Sequence, residues 1–215
     1  MLAPNGESRV IDKPGPSPLT RRFGTARGLA RLLLSYGQAA LLLPRRVPDP
    51  WSVRRLVFVC QGNICRSAYA EEASRARGLA AASFGLSTLS GKPAYPPAVA
   101  AAAVLGRDLS AHRTTRREDF EPRPGDLLLA MEVRQLGRLA ADPALAGAPR
   151  DLLGLWARPP VPHLHDPYGL DPAYMATCLA RIETAVEALA RAFPGAAASS
   201  APPAGRPGTA PGPTS

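Results

Sequence analysis

Six residues suited to handling an anion fall within eight positions: Cys60, Gly62, Asn63, Cys65, Arg66 and Ser67, in the stretch CQGNICRS. Gly62 opens backbone conformations closed to other residues, so a short loop here can gather consecutive N–H groups into one concavity. The apolar run RLVFVC precedes the loop and AYAEEASRARGL follows it, a strand and a helix by their patterns. The helix directs the positive end of its dipole at the same spot. Arg66 adds a planar fork that grips two phosphate oxygens at once. Gln61, Gly62, Asn63, Ile64, Cys65 and Ser67 are therefore expected to form a phosphate cradle with Cys60 at its floor.

These surroundings act on the sulfur as well. N–H donors, a guanidinium and a helix N-terminus favour thiolate over thiol, so Cys60 is expected to be nucleophilic at neutral pH. A nucleophile at the floor of such a cradle implies attack on phosphorus in line with a departing oxygen, through a phosphocysteine intermediate. That chemistry calls for no metal and no cofactor. Read alone, a cysteine ending a strand is a small buried hydrophobe; the eight residues together reverse that reading. Redox exchange between Cys60 and Cys65 stays open, since thiolates readily form disulfides with a neighbour.

The frame that must hold these residues is legible along the chain. RLVFVC, AASF, GDLLLAM and RDLLGLW read as four strands. The helix after the loop stops at Gly78, YPPAVAAAAVLG is a helix opened by proline and ended by Gly106, and EVRQLGRLA is a third. The last helix has Asp171 as cap, Pro172 at its first position, and a stripe of Met175, Leu179, Ile182, Val186, Leu189 and Phe193. Strands alternating with helices predict an α/β fold, a four-stranded parallel sheet flanked by helices on both faces. Ligands in such folds sit beyond the carboxyl ends of the strands, where Cys60 falls.

Composition sets the boundaries. The chain of 215 residues is 46% hydrophobic, enough for one core, and its prolines concentrate near the ends and in connections. The expected division is an N-terminal extension over 1–52, one domain over 53–194 and a tail over 195–215. Residues 1–20 and the tail are predicted to be disordered. Between Arg21 and Leu43, apolar residues at Leu29, Leu32, Leu33, Tyr36, Ala40 and Leu43 recur at helical spacing beside Arg27 and Arg31. This predicts a basic amphipathic helix that docks on the domain or touches a membrane surface; its apolar stretch is too short to span a bilayer. TRRFG resembles a twin-arginine signal with its phenylalanine one position early, and no clear cleavage site follows, so export is not expected.

The net charge is +9, and residues 1–52 hold eight Lys/Arg against three acidic residues, more than half of the excess. The only lysines are Lys13 and Lys92, and no basic stripe is interleaved with aromatics, so a nucleic-acid partner is not expected. Three cysteines make neither a disulfide framework nor a zinc pattern, which points to a reducing cytoplasm.

At this point the residues resemble the low-molecular-weight protein tyrosine phosphatase family, whose signature C-x-G-N-x-C-R-S is matched at all six fixed positions. The likeness runs from about Arg54 to Phe193 and implies a flavodoxin-like topology. The resemblance makes Cys60 the nucleophile, Arg66 the phosphate clamp and Asp166, in HDPYGLD, the general acid of a D-P-Y loop. It also implies that Asn63, Ser67, Ser83 and His112 form the network that shapes the loop. Tyr168, Ile64 and Leu89 would be the apolar walls around a phosphotyrosine ring, and Cys65 a partner that traps Cys60 as a reversible disulfide. Cys178 is most simply core.

Leu89, LLGLW and the D-P-Y loop resemble the bacterial branch tied to capsule and exopolysaccharide export, which implies a tyrosine-phosphorylated protein as substrate and a bacterial tyrosine kinase as partner. The chain departs from the family pattern at Ala68, Tyr95 and Thr115, which touch rim and scaffold. Two rival readings exist. A thiol-dependent arsenate reductase needs two relay cysteines beyond the loop, and only Cys178 is available. A non-catalytic phosphotyrosine- or anion-binding module would have no use for a nucleophile and an acid together.

Overall fold

The computed structural model describes residues 17–42 and 48–198, with side chains only up to Gln38 in the first segment. Most of the stretches predicted to be disordered, and the end of the predicted N-terminal helix, lie outside the described residues. Strand β1 (Arg55–Cys60) occupies the centre of a parallel sheet, paired with β2 (Ala81–Gly85) on one side and β3 (Asp126–Ala130) on the other. The short β4 (Arg150–Leu152) extends it past β3, giving the order β2-β1-β3-β4.

The register sets Val59 beside Phe84 and Ala130. Along β1, Leu56, Phe58 and Cys60 enter one apolar cluster while Val57 and Val59 enter the other. A strand buried on both faces has no polar side, which is why RLVFVC is apolar throughout. The first cluster is roofed by α3 (Arg66–Arg75), α4 (Pro96–Val104) and α6 (Pro172–Ala192). The second is covered by α5 (Val133–Ala141) through Leu139, with Phe120 stacked on Phe84 at 4.5 Å. On α6 the Met175, Leu179, Ile182, Val186 and Leu189 stripe is fully buried, each of the larger side chains contributing about 1.5–3 kcal/mol. Strand order reverses between β1 and β3, so the crevice of this fold opens where β1 ends, at Cys60.

Three sequence expectations change. RDLLGLW pairs only over Arg150–Leu152 and then forms a 3-10 turn at Leu153–Trp156. The returning chain lies directly on Gly154, where a Cβ would fall 1.9 Å from the Val161 carbonyl oxygen, so the strand cannot continue. At the C-terminus, Gly195–Ala198 are ordered: Ala196 O accepts from Ala80 N at 2.8 Å and Ala198 N donates to Gly78 O at 2.7 Å. At the N-terminus, the single predicted helix is two, α1 (Pro18–Phe23) and α2 (Ala26–Leu42), separated at Gly24 with φ 75°.

The face of α2 laid on the domain also differs from the predicted stripe. Gly28, Leu32 and Ser35 are buried, whereas Leu33 and Tyr36 are 64% and 46% exposed. Leu32 is buried as the stripe predicts, but Gly28 also faces inward, where a Cβ would meet the Phe23 carbonyl oxygen at 2.3 Å and the His165 ring at 2.9 Å.

Candidate active site

The five residues Gln61–Cys65 join β1 to α3. Cys65, the N-cap of α3, makes no side-chain cap bond, which leaves the first amides of the helix turned toward the loop. Asn63 holds φ 54°, a left-handed conformation that asparagine tolerates better than most residues. Its N–H donates to Cys60 Sγ at 3.1 Å, and Ser67 Oγ lies 3.0 Å from the same sulfur.

The Asn63 side chain ties the loop to three elements. Its Nδ2 donates to Ser67 Oγ at 2.9 Å and to Ser83 Oγ, near the end of β2, at 2.7 Å; its Oδ1 accepts from Thr115 N at 2.8 Å. His112 Nε2 donates to the Asn63 carbonyl at 2.7 Å. Ser83 in turn donates to Glu71, a buried carboxyl on α3 that also pairs with Arg75. Burial pushes the Glu71 pKa up, against the Ser83 hydroxyl and Arg75.

Arg66 is buried, at 1% exposure, and its charge is compensated on both edges. Nη1 donates to Glu132 Oε1 at 2.9 Å and to the Leu164 carbonyl at 2.8 Å; Nη2 lies 2.7 Å from Asp166 Oδ2. Burial alone would lower its pKa, but the charges of Asp166, Cys60 and Glu132 outweigh burial and hold it above the ordinary value. Burial would likewise raise Glu132, yet Arg66 and Arg134 keep its carboxyl below the usual range. Glu132 also caps α5, in a reciprocal arrangement with Gln135, so one carboxylate starts a helix and anchors the guanidinium.

Cys60, Gln61, Gly62, Ile64, Cys65, Arg66, Asp166 and Tyr168 line an open cavity of about 220 Å³. Asn63, Ser67, Ser83 and His112 stand behind the loop. Leu89 is a correction: it is 61% exposed and does not line the cavity. Its carbonyl is held by the Thr114 hydroxyl at 2.6 Å, which fixes that loop with the side chain outward. Tyr95 is the aromatic that packs on Tyr168, with ring centroids 4.7 Å apart.

All three cysteines are free thiols and buried. Burial, with the Cys60 and Asp166 charges, pushes the Cys65 thiol up, and burial pushes Cys178 up to about 12. Cys178, on α6, is a core residue rather than a ready relay thiol.

Sequence reasoning missed Glu132, Glu71, His163 and His165, and gave Thr115 only as a departure from the family pattern, not as a donor to Asn63. Glu132 carried a signal, since it stands two residues past the end of β3 at the active edge of the sheet; the others depend on tertiary approach.

Sheet order, loop and basic-acidic pairing define a phosphatase-type α/β domain. A family model described as low molecular weight phosphotyrosine protein phosphatase matches residues 55–196, and the chain belongs to that family. It is 38% identical over 85 residues to a probable low molecular weight protein-tyrosine-phosphatase, EpsP, of Ralstonia nicotianae; the match covers 39% of this chain and 59% of that relative. Among solved structures, the Erwinia amylovora tyrosine phosphatase AmsI superposes with a TM-score of 0.56 at 26% identity, over 66% of this chain and 93% of its own. The tyrosine phosphatase Wzb from Escherichia coli K30 gives 0.55 at 26% identity, over 65% and 97%. Among the described residues no helix is long and apolar enough to cross a membrane.

Proposed function

We propose that this chain is a protein-tyrosine phosphatase working through a phosphocysteine intermediate. The observation that carries the reading is one sulfur, Cys60 Sγ, held by Asn63 N–H at 3.1 Å beside an arginine whose Nη2 is 2.7 Å from a carboxylate. Arg66 also keeps one buried donor, Nε–H, without a protein acceptor, which a phosphate oxygen would satisfy. In the first step the Cys60 sulfur attacks phosphorus, the P–O bond to the phenol breaks, and Asp166 gives its proton to the departing oxygen. In the second, Asp166 takes a proton from water as the water oxygen attacks phosphorus. The S–P bond breaks, and phosphate leaves.

The Tyr95–Tyr168 pair beside the loop suits an aromatic ring. The substrate we assign is phosphotyrosine in protein, with an autophosphorylating bacterial tyrosine kinase of polysaccharide export as the opposed enzyme, in keeping with the similarity to EpsP and AmsI. The cytoplasm, where thiols stay reduced, is the compartment we assign. Residues 17–42 carry four arginines and no acidic residue, and Leu19, Leu33 and Leu34 are each more than 60% exposed. That combination fits an anionic lipid surface.

The test is phosphate release, without added metal, from matched phosphotyrosine and phosphoserine peptides. Tyrosine-selective release by the wild type, lost in Cys60→Ser, supports the reading. A folded wild type that binds phosphate but releases none would favour a binding module. For the lipid contact, sedimentation with phosphatidylserine vesicles should fall when Leu33 and Leu34 are both changed to Ser; unchanged sedimentation ends that idea.

A further inference from the structure

The segment that carries Asp166 is held from outside the region shared with the family, which begins at residue 55. Helix α2 and the Gly24–Thr25 turn that joins it to α1 touch it on both sides of the acid. Before Asp166, the Tyr36 hydroxyl donates to the Pro160 carbonyl at 2.9 Å, and Thr25 Oγ1 lies 3.2 Å from His165 Nε2. Beyond it, Gly24 packs on Leu170 and on Tyr174, where a Cβ would come within 3.0 Å and 2.9 Å. At Gly28 a Cβ would sit 2.3 Å from the Phe23 carbonyl oxygen and 2.9 Å from Cδ2 of the His165 ring, so the glycine admits both the turn after α1 and the imidazole. From the domain side, the Tyr174 hydroxyl donates to the His165 carbonyl at 3.2 Å. His165 is thus gripped by side chain and backbone, and the next residue is Asp166.

From the domain side the loop is held by the Arg66–Asp166 pair and by Tyr95 against Tyr168; the N-terminal contacts add a grip at His165, the residue before the acid. Tyr168 is 58% exposed, and Gly169 holds φ 69°. A general acid must reach the leaving oxygen within hydrogen-bond distance, and small misplacements are costly to the rate.

We propose that α1 and α2 form a brace that sets the position of the general acid, with Thr25 and Gly28 as positioning residues acting through His165. The proposal rests on the reading of Asp166 as the acid. A brace of this kind affects proton delivery to the departing phenol, so its loss should lower kcat/KM, which ends at phosphocysteine formation, selectively for poor leaving groups; kcat also contains the hydrolysis step that both esters share.

The experiment uses the full chain as wild type, Thr25→Val, Thr25→Ser and Gly28→Leu. It measures kcat and KM on phenyl phosphate and p-nitrophenyl phosphate, inhibition by inorganic phosphate, and hydrogen exchange of amides from Leu164 to Leu170. We expect Thr25→Val and Gly28→Leu to lose about tenfold in kcat/KM on phenyl phosphate and less than about twofold on p-nitrophenyl phosphate. Phosphate inhibition should not weaken, and should tighten to the extent that Asp166 leaves Arg66; exchange over 164–170 should be faster, and Thr25→Ser close to wild type. An equal loss of kcat/KM on both substrates, no loss, or unchanged exchange would each overturn the brace. A wild type that hydrolyses neither ester would instead remove the phosphatase reading, and the exchange data would still decide whether the helices hold the loop.

Discussion

Arg66 Nη2 and Asp166 Oδ2 lie 2.7 Å apart, so the residue assigned to clamp phosphate and the residue assigned to deliver the proton are each other's partner. On the proposed reading, an incoming phosphate would compete with Asp166 for the guanidinium, and its arrival would release the carboxyl toward the leaving oxygen, coupling substrate binding to positioning of the acid. Asp166→Asn should therefore act in two directions. Turnover of phenyl phosphate should fall by about 10²–10⁴, while inorganic phosphate should bind about three- to tenfold tighter once a competing negative charge is gone. Inhibition and direct binding measurements check this; weaker phosphate binding would contradict the competition.

Asn63 should be the most sensitive residue of the loop after Cys60 and Arg66. Truncation in Asn63→Ala leaves Ser67, Ser83 and Thr115 N without their partner and keeps a side chain at φ 54°. A loss of about 2–4 kcal/mol in unfolding free energy is expected. Asn63→Gly loses the same bonds but relieves the backbone, so it should be more stable than the alanine variant by about 1 kcal/mol. Urea denaturation of the two variants gives the comparison; an equal or reversed order would deny the backbone strain.

Stability should fall as the solution is acidified through the range of His163. Burial lowers the His163 pKa from 6.5 to about 4, with the Glu132 carboxylate opposing and His165, Arg66 and Arg31 assisting. Between those values the unfolded chain binds a proton that the folded chain does not, so folding weakens as pH drops from about 6.5 to about 4 and levels off below. The loss specific to this residue is about 2 kcal/mol between pH 7 and pH 5. Urea midpoints at both pH values for wild type and His163→Phe measure it; the variant should show the smaller drop, and parallel drops would remove His163 as the cause.

What the sequence by itself determined were features carried by neighbours along the chain. The eight residues of the loop, the apolar β1 before it and the Pro172-headed stripe of α6 each follow from local spacing, so strand, turn and helix were legible without coordinates. The parallel sheet followed from their alternation. Termination of β4 was not legible, because it depends on Val161 closing over Gly154.

What only the tertiary structure decided were pairings between distant positions. Glu132 reaches Arg66 because β3 lies beside β1, and Asp166 reaches it because the segment after β4 folds back over the same edge. Leu89 carried the right character for a wall but stands in solvent, since Thr114 fixes its backbone. The N-terminal helix showed amphipathic spacing in the sequence, yet its inward face is marked by Gly28, a residue without a side chain. Hydrophobic periodicity registers what a helix buries, and it is silent where the decisive property is the absence of atoms that lets the Phe23 carbonyl and His165 approach.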